Sequence, residues 1–208
     1  MTAVSEHRAA RRAGRRKTAV LDAACRVIAD RGADATRFAD VATESGVPVS
    51  TLQYYFGSRE DLLVAAFRHA SGAETEALEA EISAMEDPWE QISLIVTRAL
   101  GGYQPDAPGA GRLWIESWHF GLRDAEMRAD TLRDYSAWRG LIATAVRRGM
   151  ASGVFRCGHS ADKVGVLAIA LVDGMGIPLA LGDLEVAGPD AARDVLAVLH
   201  DVLGCGLL

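Results

Sequence analysis

The 208 residues predict an all-α fold of about nine helices, and three observations carry that prediction. Apolar residues recur at i, i+3, i+4 and i+7 from the first quarter of the chain to its last. No segment of any length alternates apolar and polar residues as a half-buried strand does. The glycine and proline clusters at Pro88, Pro105–Gly111, Gly153–Ser160 and Gly182–Pro189 fall between the periodic segments, where punctuation belongs. Half of the residues are apolar and about a quarter charged, enough material for a buried core.

Residues 1–16 show no apolar period and read as a flexible basic arm. From Lys17 a helix begins, with Leu21, Ala24, Cys25 and Ile28 on one face and Arg31-Gly32 as its stop. Thr36 is placed to cap a short second helix that turns Phe38, Val41, Ala42 and Ser45 to one side. Gly46-Val47-Pro48 breaks the chain, and a third helix runs from about Val49 to Phe56 before Gly57-Ser58. Ser58 can cap a fourth, whose Glu60 and Asp61 suit a helix N-terminus and which continues to about Met85. Further helices are expected at roughly 88–101, 110–122, 124–152, 161–181 and 190–204. The organisation is therefore an arm over 1–16, a small helical domain over 17–72 and a larger helical domain over 73–208.

Charge separates these regions. Residues 1–72 have a net charge of +3 and residues 73–208 one of −9, and 20 of the 22 basic residues are arginine. A basic block on an acidic body suits an anionic partner at one end. Helix, short helix, glycine turn, short helix is the order of a helix-turn-helix unit, in which the second short helix enters the major groove. In Val49-Ser50-Thr51-Leu52-Gln53-Tyr54-Tyr55-Phe56, Leu52 and Phe56 lie four apart and face inward. That leaves Ser50, Thr51, Gln53, Tyr54 and Tyr55 for bases and phosphates. Gln53 can pair with adenine through two hydrogen bonds, worth about 1–3 kcal/mol of discrimination.

The runs Gly32-Ala33-Asp34-Ala35-Thr36-Arg37-Phe38-Ala39-Asp40-Val41-Ala42 and Ser45-Gly46-Val47-Pro48 through Phe56-Gly57-Ser58-Arg59-Glu60-Asp61-Leu62-Leu63 resemble the DNA-binding domain of the TetR family of bacterial repressors. The resemblance covers about residues 17–65. It implies a cytoplasmic homodimer on a palindromic operator in double-stranded DNA, released when a small molecule binds the larger domain. Carried over by position, it implies phosphate contacts from Thr36, Arg37, Tyr54 or Tyr55, and Arg59, and base contacts from Val49, Ser50, Thr51 and Gln53. Arg59 stands where the family usually has lysine, Gln53 where it more often has tyrosine, and Tyr55 where histidine is frequent. Ala39 replaces a basic side chain that some members carry.

In the larger domain, Val164, Leu167, Ala168, Leu171, Val172 and Met175 form one stripe, while Val166, Ile169 and Ala170 make the same helix apolar nearly all round. With Val195, Val198, Leu199 and Val202 it can pair with its twin, and the last two long helices make the dimer contact in the resembled family. Trp114 and Trp118 lie four apart, with Glu116, His119, Tyr135 and Trp138 near them in sequence, and Asp173 interrupts an apolar helix. Aromatic walls with one or two polar groups suit a small-molecule site, so Trp114, Trp118, His119, Trp138 and Asp173 are the candidate effector residues. Arg112 to Trp118 also resembles the BetI-like subgroup, which suggests a cation held by aromatic faces and a carboxylate. The alternative is a DNA-binding regulator with no small-molecule effector, its larger domain serving protein partners.

Other classes are excluded. The longest apolar run, Val164–Val172, falls short of the ~20 residues a bilayer demands. Cys25, Cys157 and Cys205 are odd in number and far apart, which fits a reducing cytoplasm with no disulfide framework or metal site. Glu116-x-x-His119 has no second copy to complete a di-iron bundle. Gly174-x-Gly176 has no third glycine and no preceding strand. No nucleophile elbow, phosphate loop or zincin signature is present. No cofactor, metal or enzyme activity is expected.

Overall fold

A computed structural model describes residues 2–103, 109–183, 185 and 190–204, with side chains from Gly14 onward. Among the described residues there are nine α-helices and no strand. They are α1 (Thr2–Arg31), α2 (Phe38–Ser45), α3 (Val49–Phe56), α4 (Arg59–Ser83), α5 (Pro88–Gly101), α6 (Ala110–Gly121), α7 (Ala125–Ala151), α8 (Ala161–Ala180) and α9 (Ala191–Leu203). The all-α expectation and its order of elements hold. Cys205 and most of the two loops before α6 and α9 lie outside the described residues.

Two helix starts differ from the sequence reading. The first helix begins at Thr2 where an arm was expected, because Ala9, Ala10, Ala13 and the neighbouring arginines are strong helix formers that need no apolar period. Arg37, not Thr36, occupies the N-cap of α2, and its backbone N–H donates to Asp40 Oδ2 at 3.0 Å.

The chain divides into two compact units, one of Met1–Ala73 with Leu113–Arg128 and the other of Glu74–Arg112 with Ala129–Leu208. The core of the first gathers Val20, Ala24, Val27 and Ile28 of α1, Val41 of α2, Leu52 and Phe56 of α3, Leu62, Leu63 and Phe67 of α4, and Leu113 and Met127. Phe120 packs against that core, its ring 6.4 Å from Phe67. His69 Nε2 joins Asp22 Oδ1 at 2.7 Å and so ties α4 to α1.

In the second unit α5, α8 and α9 pack on one another. Asp87 starts α5 by accepting from the N–H groups of Trp89 and Glu90, with Pro88 at the first helical position, where its missing N–H costs nothing. Buried Gln91 closes the end of α4, its amide donating to the carbonyls of Ile82 at 2.8 Å and Met85 at 2.9 Å. These are orphan acceptors that any helix C-terminus must satisfy. By length and composition α8 is apolar enough to cross a bilayer, the only such helix among the described residues, so the run Val164–Val172 understates it. Its apolar character is used inward: Val164, Ala168, Ile169, Val172 and Leu179 are buried against α5 and α9.

Gly165 is where α8 meets α7 backbone to backbone: a Cβ there would lie 2.6 Å from the Arg139 carbonyl oxygen, whereas one at Gly140 would meet open space. Gly165→Ala is expected to destabilise by about 1–3 kcal/mol through overpacking. Gly140→Ala is expected to stabilise by about 0.5–1 kcal/mol through helix propensity. Thermal melts followed by circular dichroism check the pair, and shifts of the same sign would contradict the close approach.

Candidate nucleic-acid interface and effector residues

The first unit builds its exposed helix from both ends. Gly46 ends α2 at φ +67, and Gly57 ends α3 at φ +75, conformations that side chains rarely adopt. Between them the Pro48 carbonyl accepts from Thr51 N at 2.9 Å and starts α3. Leu52 is fully buried and Phe56 nearly so, and together they fix which face of α3 points outward. On that outward face stand Ser50, Gln53 and Tyr54, exposed, with Val49 at its edge and Thr51 half-buried. Tyr54 is 86 % exposed, while Tyr55 is half-buried against the core. Of the two tyrosines, therefore, Tyr54 is the more exposed. Lys17 lies 5.5 Å above the Phe56 ring, a cation beside α3 that sequence reasoning did not single out. Arg15, Arg16 and Arg37 are exposed as well.

Ser58 and Asp61 make a reciprocal cap at the start of α4. Asp61 N donates to Ser58 Oγ at 3.0 Å, and Ser58 Oγ and N donate to Asp61 Oδ2. This orients Arg59, which the sequence assigns to a phosphate. The structure gives it another task. Arg59 Nε donates to the Thr36 carbonyl at 2.7 Å, Nη2 to the carbonyls of Ala33 and Asp34, and Nη1 reaches the Glu60 carboxylate at 3.1 Å. The planar fork of a guanidinium is suited to such a set, and it is used up inside the protein. Thr36 likewise faces inward: it is fully buried and its hydroxyl donates to the Gly32 carbonyl at 2.8 Å. Through these contacts Thr36 and Arg59 both hold the frame behind α2 and α3.

The turn held by Arg59 is also held by Glu116 of α6. Glu116 Oε2 accepts from Ala33 N at 2.7 Å, and a Cβ on Gly32 would stand 3.4 Å from Glu116 Oε1. Asp34 pairs with Arg123 at 3.1 Å, which lowers the Asp34 pKa chiefly through that hydrogen bond. The same Arg123 Nη2 lies 3.2 Å from His119 Nε2. His119 is exposed. No cluster of metal-ligating side chains is found among the described residues. Cys25 donates to the Ala66 carbonyl, and its thiol is pushed up to about 11 by burial and by Asp22, which leaves it unreactive.

The remaining effector candidates are divided between the units. Trp114 and Trp118 belong to the first, both half-buried, with ring centroids 5.8 Å apart edge to face. Trp138 and Asp173 belong to the second, both half-buried, and Asp173 Oδ2 accepts from the Tyr135 hydroxyl at 2.8 Å.

Comparisons with known proteins agree with this geometry. Residues 20–66 match the model of bacterial regulatory proteins of the tetR family, and residues 88–203 match that of the BetI-type transcriptional repressor C-terminal domain. The chain is similar to the HTH-type transcriptional regulators BetI of Brucella anthropi (28 % identical, 93 % of this chain and 94 % of that one) and of Rhizobium meliloti strain 1021 (27 %, 83 % and 81 %). Among solved structures it is similar to a transcriptional regulator from Saccharomonospora viridis in complex with choline, at TM-score 0.77, 27 % identity and coverage of 91 % and 95 %.

Arg59→Ala is expected to cost about 1–3 kcal/mol of stability, since it strips charge-assisted hydrogen bonds from the buried residues Ala33 and Thr36 and from exposed Asp34. Arg37→Ala should leave stability unchanged and reduce the salt slope of DNA binding by about 1. Thermal denaturation beside DNA titrations at several salt concentrations separates the two. A stable Arg59→Ala protein with a reduced slope would return Arg59 to the phosphate.

Proposed function

The chain belongs to the tetR family of bacterial regulatory proteins, with a BetI-type C-terminal domain, and from that premise we propose that it is a cytoplasmic repressor. It binds a palindromic operator as a homodimer and leaves it when a small-molecule effector binds. Its role is regulatory, not catalytic. The observation that carries the reading is the polar outward face of α3, held rigidly by buried Leu52 and Phe56 between two left-handed glycines. Val49, Ser50, Thr51 and Gln53 approach base edges, and Tyr54, Arg37 and the cations before α1's apolar face take phosphates.

A second copy of the chain is supported by α8 and α9. Val166, Ala170, Ile177 and Leu181 follow one another along one exposed face from α8 onward, and Val198 is exposed on α9. Such a stripe in a soluble regulator asks for a partner, and a twofold axis through it places two α3 helices on one DNA. Val166→Asp is expected to convert a dimer to a monomer in analytical ultracentrifugation and to weaken operator binding more than tenfold. A monomeric wild type would overturn the assignment of this face.

For the effector we propose Trp138 and Asp173 of the second unit. The choline bound to the similar Saccharomonospora viridis regulator supports a small organic cation. Release then follows from preferential binding of the effector to a state whose recognition helices do not fit the operator.

The experiment is fluorescence anisotropy on DNA from upstream of the protein's own gene, against scrambled DNA at physiological salt. Binding selective for the upstream DNA is expected, and Gln53→Ala should change which sequences are preferred at unchanged thermal stability. Equal, weak, salt-sensitive binding of every DNA by both proteins would contradict the reading.

A further inference from the structure

The turn between α7 and α8 is fixed from two sides within the second unit. Phe155 is buried, its N–H donates to the Gly149 carbonyl at 3.0 Å, and its ring occupies the space that a Cβ on Gly149 would need. The next residue meets the end of α9. Arg156 N–H donates to the Leu203 carbonyl at 2.9 Å, and a Cβ on Gly204 would lie 2.7 Å from the Arg156 carbonyl oxygen. Leu203 is fully buried, and Gly204 ends α9 at φ +57 with its N–H donating to the Asp201 carbonyl at 3.1 Å. Each side of this contact is followed by a cysteine. Cys157 comes after Arg156, and Cys205, which lies outside the described residues, comes after Gly204. Two thiols 48 positions apart in sequence thus each stand one residue beyond the same backbone contact.

We propose that Cys157 and Cys205 form a reversible oxidation site, a dithiol that a peroxide converts into a disulfide joining the turn before α8 to the chain after α9. One chain step advances the α-carbon by about 3.8 Å, and a disulfide needs its α-carbons about 4.4–6.8 Å apart. A single step on each side of the Arg156–Gly204 contact therefore suffices to bring the sulfurs within bonding reach. Cys157 is half-buried, so its sulfur is open to a small oxidant, and the His159 N–H donates to that sulfur at 3.3 Å. The Cys157 thiolate attacks one oxygen of the peroxide, the O–O bond breaks, and a sulfenic acid and water result once the thiol proton is counted. The Cys205 thiolate then attacks the Cys157 sulfur, the S–O bond breaks, and a second water leaves with the second proton. Two thiols and one hydrogen peroxide give one disulfide and two waters. Cys25 is the odd thiol: it belongs to the first unit, donates to the Ala66 carbonyl, and is pushed up to about 11 by burial and by Asp22. In a reducing compartment such a bridge forms transiently and senses oxidant, which no framework disulfide does. The site stands apart from the operator and effector readings, and neither is needed for it.

The test uses the full chain at low concentration, reduced with dithiothreitol, desalted and treated with hydrogen peroxide. Thiol titration in denaturant is expected to fall from three free thiols to one. Peptide mapping without reductant should find the Cys157 and Cys205 peptides joined within one chain, and dithiothreitol should restore all three thiols. A bridge that closes a ring around α8 and α9 restricts the unfolded chain, so the melting temperature should rise by about 4 °C or more. Cys157→Ser and Cys205→Ser should each melt as the reduced wild type does and show no rise with peroxide. Three thiols retained, a bridge that includes Cys25, a Cys205–Cys205 bridge between two chains, or Cys157 carried to sulfinic acid with no bridge would each overturn the proposal.

Discussion

The guanidinium of Arg59 is the interaction on which the first unit depends. It gathers the carbonyls of Ala33, Asp34 and Thr36 from one side of the turn between α1 and α2, while the Glu116 carboxylate takes the Ala33 N–H from another. Ala33 and Thr36 are buried, and a buried backbone group left without its partner costs about 1–3 kcal/mol. With the turn fixed, α2 starts at Arg37, ends at Gly46, and delivers α3 with its apolar residues inward. The outward groups of α3 stay free of this frame because other groups, including some that resemble readers in sequence, hold it.

Glu116 gives that frame a second consequence. Trp114, Glu116 and Trp118 lie on the same helix, α6, so the carboxylate that holds the Ala33 N–H shares its element with the two packed tryptophans. Asp34–Arg123 and Arg68–Glu126 add exposed ion pairs between the helix-turn-helix part and residues 113–128, each contributing little alone. In the second unit few polar side chains are buried among the described residues, which makes those few informative. Gln91 is satisfied by two carbonyls; the Tyr103 hydroxyl is not.

Much of this was legible in the sequence where local physics decides. The limits of α3 follow from Leu52 and Phe56 at i and i+4 and from a glycine at each end, and the Ser58 cap follows from its spacing to Asp61. Capping at Arg37 was not legible, because Thr36 is the better cap by side chain and only its burial removes it. The partners of Arg59 lie 23 to 26 residues away and are backbone carbonyls, which any sequence supplies; Glu116 and Ala33 are 83 apart. The Tyr103 ring is wedged between Gly111 and Gly176, glycines of two other helices whose meeting only the tertiary structure reveals.

The most direct test of an α3 that reads DNA as one half of a symmetric pair is selection of binding sites from random double-stranded DNA at physiological salt. The proposed homodimer predicts enrichment of an inverted repeat whose half-sites lie about one helical turn apart. Enrichment of a lone half-site, or of none, would contradict it.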